Sequence, residues 1–266
     1  MSSESRSKTI LERVRNGEPL DHIPVIDVHT HLGASSEYYY IPRSTPAEVL
    51  ACMDRYGIDH IVAFPITITT DPGVGNDLLY DAADEAQGRF LPLTLLHAAF
   101  PDDWRALLEH GVERGTRGIK LISQYQGVAE NNIDWSPVFD FAREHRWPVL
   151  HHSWGSRERL ERWATTYPEL AFIIGHATTG YSDTVKDCAN VYQCTCAAFV
   201  ASAFSSIEAM VEAMPVNKIL GGSDALDLDF GTHIGPIAYA DIGEDAKERI
   251  LGQNAAEMFE RLGHAV

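Results

Sequence analysis

The chain has 266 residues, of which 45% are hydrophobic and 22% charged, the balance of an ordinary soluble globular protein. Lys and Arg number 21 against 38 Asp and Glu, a formal net charge of -17. Such a field repels phosphate backbones and anionic lipid surfaces, so neither nucleic acid nor membrane is expected as a partner. No apolar run approaches the roughly 18 residues of a membrane helix, and MSSESRSKTILERVRNG at the N-terminus lacks the apolar centre of a secretory signal. Cys52, Cys188, Cys194 and Cys196 are too few for a disulfide framework in a chain this long. A reducing cytoplasm is the expected location and a small molecule the expected partner, with room for a homo-oligomer.

Residues 1–22 read as a short helical extension, with Ile10, Leu11 and Val14 as its apolar side. After it come short apolar runs of the kind buried on both faces of a parallel sheet: 23–29, 60–66, 89–96, 118–122, 147–152, 170–176, 191–196 and 218–224. Helical stretches separate them. Thr45-Pro46 supplies a cap and a first-turn proline for a helix carrying Val49, Leu50 and Met53, and Gly57 suits its end. Segments 76–88 and 102–115 stop on glycine, and 135–146, 155–167, 180–188 and 204–214 fill the remaining gaps. The last stretch, 244–262, carries Ile250, Leu251, Met258, Phe259 and Leu262 on one stripe. Strand and helix alternate throughout, which implies parallel strands with right-handed crossovers and predicts a single (β/α)8 TIM barrel over 23–266. A doubly wound open sheet is the alternative, but no G-x-G-x-x-G follows the first run.

A barrel enzyme works at the C-terminal ends of its strands. There the sequence places Asp27-Val28-His29-Thr30-His31, Lys120, His151-His152, Gly175-His176 and Gly222-Ser223-Asp224. Each motif alone has a bland reading: a satisfied core histidine, a turn, a helix cap. Their joint placement at strand ends favours chemistry. His29 and His31 lie two apart in a strand and so share a face, about 7 Å apart along the backbone. Two imidazoles and a nearby carboxylate suit zinc or a similar cation, which can lower the pKa of a water. Asp224 can bind the cation, take the proton, or both. Trp154, Tyr38, Tyr39, Tyr40, Gln124 and Tyr125 follow strand ends and are candidates to line a pocket, and loop 32–44 is a candidate lid. Cys194 and Cys196 form C-x-C and are read as buried packing, while His97 and His233, near rim loops, stay open.

Six segments carry a resemblance to a known family: VIDVHTHLG (25–33), RGIKL (117–121), WPVLHHS (147–153), FIIGHATTG (172–180), ILGGSDA (219–225) and ERILGQNAAEMF (248–259). In order and spacing they resemble the amidohydrolase superfamily, in particular its amidohydrolase-2 branch of metal-dependent hydrolases and decarboxylases. The resemblance implies a metal held by His29, His31, the strand-5 histidine and Asp224. Asp224 and His176 would be catalytic, with His176 a ligand or the residue that polarises the substrate. It points to His152 rather than His151, since alternation turns only one of the pair inward. Lys120 is expected to bind a substrate anion or pair with an acid, with Trp154 beside the substrate. One zinc ion is the favoured cofactor; manganese and iron(II) also accept the set, and a second ion bridged by a carboxylated Lys120 is less favoured. The implied reaction is hydrolysis of an amide, ester or lactone. Non-oxidative decarboxylation of a small unsaturated or aromatic acid is the alternative, and a catalytically silent binding barrel is disfavoured by the intact ligand set.

Overall fold

The computed structural model describes residues 8–32, 45–65, 71–198 and 204–266. Its centre is a sheet of eight parallel strands: β1 (Ile26–Leu32), β2 (His60–Pro65), β3 (Phe90–Leu95), β4 (Gly118–Leu121), β5 (Pro148–His151), β6 (Ala171–Ile174), β7 (Val191–Cys194) and β8 (Ile219–Leu220). Each strand pairs with its neighbours in chain order. The two edges meet: Val28 N–H donates to Gly221 O at 2.9 Å, Asp224 N–H donates to His29 O at 2.9 Å, and Thr30 bridges to Ala225. The molecule is therefore a (β/α)8 TIM barrel, as the alternation of runs predicts.

The helices follow from local chemistry. Helix α1 (Ile10–Arg15) is closed at its N-terminus by a reciprocal Thr9–Glu12 capping box and buries Ile10. Helix α2 (Pro46–Tyr56) has the same device in Thr45 and Glu48, with Pro46 in the first turn and Gly57 left-handed at its end. Around the barrel come α3 (Pro72–Glu85), α4 (Trp104–Glu113), α5 (Ser136–His145), α6 (Arg157–Thr166), α7 (Ser182–Asp187) and α8 (Ser206–Ala213). Two features differ from the sequence expectation. A helix α9 (Gly231–Tyr239) follows β8, where the Gly and Pro content of 231–239 hides it. The last stretch is divided into α10 (Glu244–Glu248), a wider π turn over Arg249–Gln253 and α11 (Asn254–Leu262). At that turn Gly252 packs against the entry to β1; a Cβ there would lie 2.2 Å from the Pro24 carbonyl oxygen.

Two buried layers result. Ile61, Ile119, Val149, Phe172, Val191 and Ile219 face the helices. Val28, Val62, Phe64, Leu93, Leu150, Ile173, Cys194 and Leu220 fill the barrel, and Met258, Phe259 and Leu262 of α11 close its floor. Among the described residues no helix is long and apolar enough to cross a membrane.

Candidate active site

Strand β1 carries one extra residue between Asp27 and Thr30: Asp27 pairs with Ile61 and Thr30 with Ala63. Before this bulge Ile26 and Val28 face the interior. Strict alternation would then send His29 and His31 outward with Asp27. The extra residue resets the phase, a common use of bulges beside functional sites. His31 thus pairs with inward-facing Phe64, and Thr30 turns outward to donate its hydroxyl to Val62 O at 2.9 Å. Both imidazoles pack on Phe64, with ring centroids at 5.0 Å and 4.4 Å.

Asp224 comes from the loop after β8. Its φ of 67° is left-handed, a conformation aspartate tolerates better than most non-glycine residues. The carboxylate turns back over β1, where Oδ1 lies 3.2 Å from Nε2 of His29 and 3.1 Å from Nε2 of His31. Oδ2 is 3.9 Å from Nε2 of His176. Burial opposes ionisation of Asp224, but the imidazoles of His176, His29 and His31 facing it outweigh that and hold the carboxyl far below the usual carboxylate range. His29 is held well below the ordinary imidazole range, chiefly by burial and then by the Lys120 ammonium.

Lys120 points inward from β4, level with Leu150 on β5. It is 0% exposed, with Nζ 3.4 Å from His29 Nε2 and 4.0 Å from the Phe64 ring centroid. Burial pushes it down to about 8, although Asp224 pulls the other way. The His-His pair at the end of β5 divides as alternation requires. His151 faces outward and is 0% exposed, with Nε2 2.8 Å from Glu130 Oε2. His152 faces the mouth, its ring 4.3 Å from His176 and 4.6 Å from Tyr125, and burial pushes it down to about 2. His176 follows β6, and its side chain is 25% exposed; its carbonyl accepts from Gln193 Nε2 at 2.7 Å.

Three expectations need revision. His152, proposed from the sequence as the strand-5 ligand, is not in the group whose ligand atoms converge; His29, His176, Cys196 and Asp224 have theirs within 4.8 Å of one another. His152 lies past the last paired residue of β5 and meets His176 edge to face, at 75° between the rings. Trp154 does not line a substrate pocket. It is 0% exposed, donates Nε1–H to Ile173 O at 3.0 Å and packs on Phe139, Phe172 and His151. The chain turns outward after Ser153, so a large ring there fills the seam between β6 and α5. Cys196, read as packing, belongs to the converged group. Asp227 is also new: with His31 and Asp224 it forms a second such group, and its Oδ2 lies 4.0 Å from His31 Nε2. Its position three residues after Asp224 was the only signal available in sequence. Of the open histidines, His97 accepts from Ala99 N–H through Nδ1 at 3.2 Å, and His233 is buried behind Gly221, 3.6 Å from Asp27 Oδ2. Tyr38, Tyr39, Tyr40 and the loop 33–44 lie outside the described residues.

The donor set fits a divalent cation. Asp224 Oδ1 lies 3.2 Å and 3.1 Å from the two Nε2 atoms, close to the edge of about 3.3 Å between ligands about 2.0–2.1 Å from an ion, and Asp224 is common to both convergent groups. Imidazole nitrogen with carboxylate oxygen is a zinc-type set, and manganese and iron(II) accept it.

The family described as amidohydrolase matches residues 26–261. No curated protein matches the sequence. Among solved structures the chain is similar to a protein from Pseudomonas putida assigned as a 2-pyrone-4,6-dicarboxylic acid hydrolase, at 17% identity and a TM-score of 0.68, covering 90% of this chain and 98% of that one. It is similar to 5-carboxyvanillate decarboxylase from Sphingomonas paucimobilis, at 14% identity and a TM-score of 0.64, covering 90% and 99%. It is also similar to 2,6-dihydroxybenzoate decarboxylase from Rhizobium, at 13% identity and a TM-score of 0.64, again covering 90% and 99%. At these identities the likeness is one of fold.

Proposed function

Because the chain belongs to the amidohydrolase family, we propose that it is a metal-dependent enzyme that hydrolyses an amide, ester or lactone bond of a small molecule. The observation that supports this reading is the Asp224 carboxylate at the barrel mouth, within 4 Å of three imidazoles and held ionised by them. His29, His31 and Asp224 would hold one divalent ion, zinc in this reading, with His176 completing the set. Such an ion supplies Lewis acidity and lowers the pKa of a water.

The chain's own residues do the rest. Asp224 receives the proton of the attacking water and passes it to the leaving group. His176, partly open to the mouth, donates a hydrogen bond to the substrate carbonyl oxygen as negative charge builds there. Lys120, with its pKa near 8, is largely protonated at neutral pH and gives the floor a positive charge toward a substrate anion. Phe64 and the apolar layer below exclude water from that side.

A second reading is supported by the likeness to two decarboxylases. The same site would then hold a carboxylic acid, and Asp224 or His176 would protonate the carbon that loses carbon dioxide. The zinc-loaded protein separates the two. With 2-pyrone-4,6-dicarboxylic acid and simple aryl esters and lactones, ring opening or ester cleavage without carbon dioxide is the expected result. Carbon dioxide released in proportion to acid consumed, from 2,6-dihydroxybenzoate or 5-carboxyvanillate, would replace hydrolysis with decarboxylation.

A further inference from the structure

Cys196 has no part in the chemistry above, yet its surroundings are not those of a packing residue alone. It lies two residues beyond the end of β7 and is 0% exposed. Its Sγ is within 4.8 Å of the ligand atoms of His29, His176 and Asp224. Among the described residues it makes no hydrogen bond through that sulfur. The backbone around it is fixed from both sides. Cys196 O accepts from Ala177 N–H at 2.8 Å, Thr195 N–H donates to Leu220 O at 2.8 Å, and Gly222 N–H donates to Thr195 Oγ1 at 3.1 Å. Gly222 closes the seam: a Cβ there would lie 2.5 Å from Cys194 Sγ and 3.0 Å from His29 Cβ. The thiol therefore reaches the mouth from a held strand end, across from β1.

Cys194 is the natural contrast. It shares the face and the burial of Cys196, but it ends β7 itself, one layer lower, among Val28, Ile173 and Leu220. That is what a packing cysteine looks like in this barrel. One layer up, Cys196 still belongs to that apolar cluster, but its sulfur also meets two imidazoles and a carboxylate.

We propose that Cys196 Sγ is a ligand of the cation site, making its donors nitrogen, oxygen and sulfur and biasing it toward zinc over manganese. The proposal rests on the reading that a divalent ion sits among His29, His176 and Asp224. Donors about 2.0–2.3 Å from a shared zinc ion are at most about 4.5 Å apart, so the observed cluster is near the size of a coordination sphere. A coordinating thiol is bound as thiolate. Thiolate is soft and favours zinc, whereas manganese prefers oxygen donors. The sequence showed no candidate ligand at the ends of β2, β3 and β7, and Cys196 supplies one at β7.

Cobalt(II) is the probe. The purified chain, stripped and reloaded, is expected to bind close to one cobalt equivalent and to show the near-ultraviolet thiolate-to-cobalt charge-transfer band. The band should persist in Cys194→Ala and vanish in Cys196→Ser. In competition with a chromophoric chelator, Cys196→Ser should lose at least about 10-fold in zinc affinity while its manganese affinity changes by less than about 2-fold; a merely structural thiol would not move that ratio. Cobalt bound stoichiometrically without the band overturns the proposal and leaves the cation reading standing. No binding of cobalt, zinc or manganese by the wild-type chain overturns both. Should Cys196→Ser fail to fold, the wild-type spectrum alone decides.

Discussion

Two carboxylates in this barrel, one buried and one half-buried, are surrounded by imidazole and other donors, and they are treated in opposite ways. Glu130, outside β5, has every partner it can use. Oε2 accepts from Ser123 Oγ and His151 Nε2, each at 2.8 Å, and Oε1 accepts from Trp135 Nε1 at 2.9 Å and Arg159 Nε at 3.3 Å. The other nitrogen of His151 accepts from Ser153 N–H at 3.2 Å. Asp224, inside the mouth, has two imidazoles crowded on one oxygen, while the Nδ1 atoms of those rings are buried without partners. A satisfied network rigidifies; an unsatisfied one costs stability and is retained where the site has another use. The doublet His151-His152 spans the divide, one ring committed to each side.

The largest effect that can test this contrast is the loss of the Asp224 charge. Asp224→Asn keeps the shape and removes both the charge and the basicity. With metal in excess it should melt within a few degrees of wild type yet lose at least about 10²-fold in turnover on whichever substrate is found, since loss of a general base alone costs about 10²–10⁴. Turnover within a few-fold of wild type would make Asp224 a structural residue like Glu130. Metal content comes next. The wild-type chain should carry close to one transition-metal equivalent, and His29→Ala or His31→Ala should lose most of it by elemental analysis. Undiminished binding in the double variant would remove the site as drawn.

The paired histidines sharpen the comparison further. By removing the ring that holds His176 in place, His152→Asn is expected to damage activity and metal retention much more than His151→Asn. His151→Asn should instead lower stability, by about 3 kcal/mol, because it leaves the Glu130 carboxylate short of a buried partner. Chemical denaturation and metal analysis of the two proteins read both arms. The reverse pattern would mean that His151 is the functional ring.

Much of this division was legible in the sequence, and the failures have physical reasons. Apolar runs and helix caps locate the barrel because both are local signals. β8 has two paired residues where the sequence suggests seven, since KILGGSD continues apolar and small after pairing ends at Leu220. The bulge in β1 leaves no local mark: Asp27 through His31 read the same with or without it, and only the pairing with β2 reveals the extra residue. Trp154 was misplaced because a residue three positions past a strand end can turn to either face. Asp227 and Cys196 were missed because a second carboxylate and a C-x-C are common in turns and cores, and only closure of β8 on β1 brings them to His31 and His29.

The smallest expected effect is the dependence of the Glu130 network on acid. Burial alone would raise this carboxyl, but hydrogen bonds from His151, Ser123 and Trp135 outweigh it and set its pKa below the ordinary value. A depressed carboxyl contributes stability that is complete above the unfolded value, about 4.3, and is lost as pH falls through the folded value. Glu130→Gln is nearly the same shape but cannot ionise. At pH 7 it should be less stable than wild type by about 1.5–3 kcal/mol, the scale of hydrogen bonds to a charged group. That difference should hold down to about pH 5 and then shrink below about pH 4, as the wild-type carboxyl takes up its proton and comes to resemble the amide. Urea midpoints of the two proteins at pH 7, 5, 4 and 3 measure it. A gap of constant size across that range would show that Glu130 acts by shape and neutral hydrogen bonding alone, and the contrast between a charge held for stability outside β5 and one held for chemistry inside the mouth would fail.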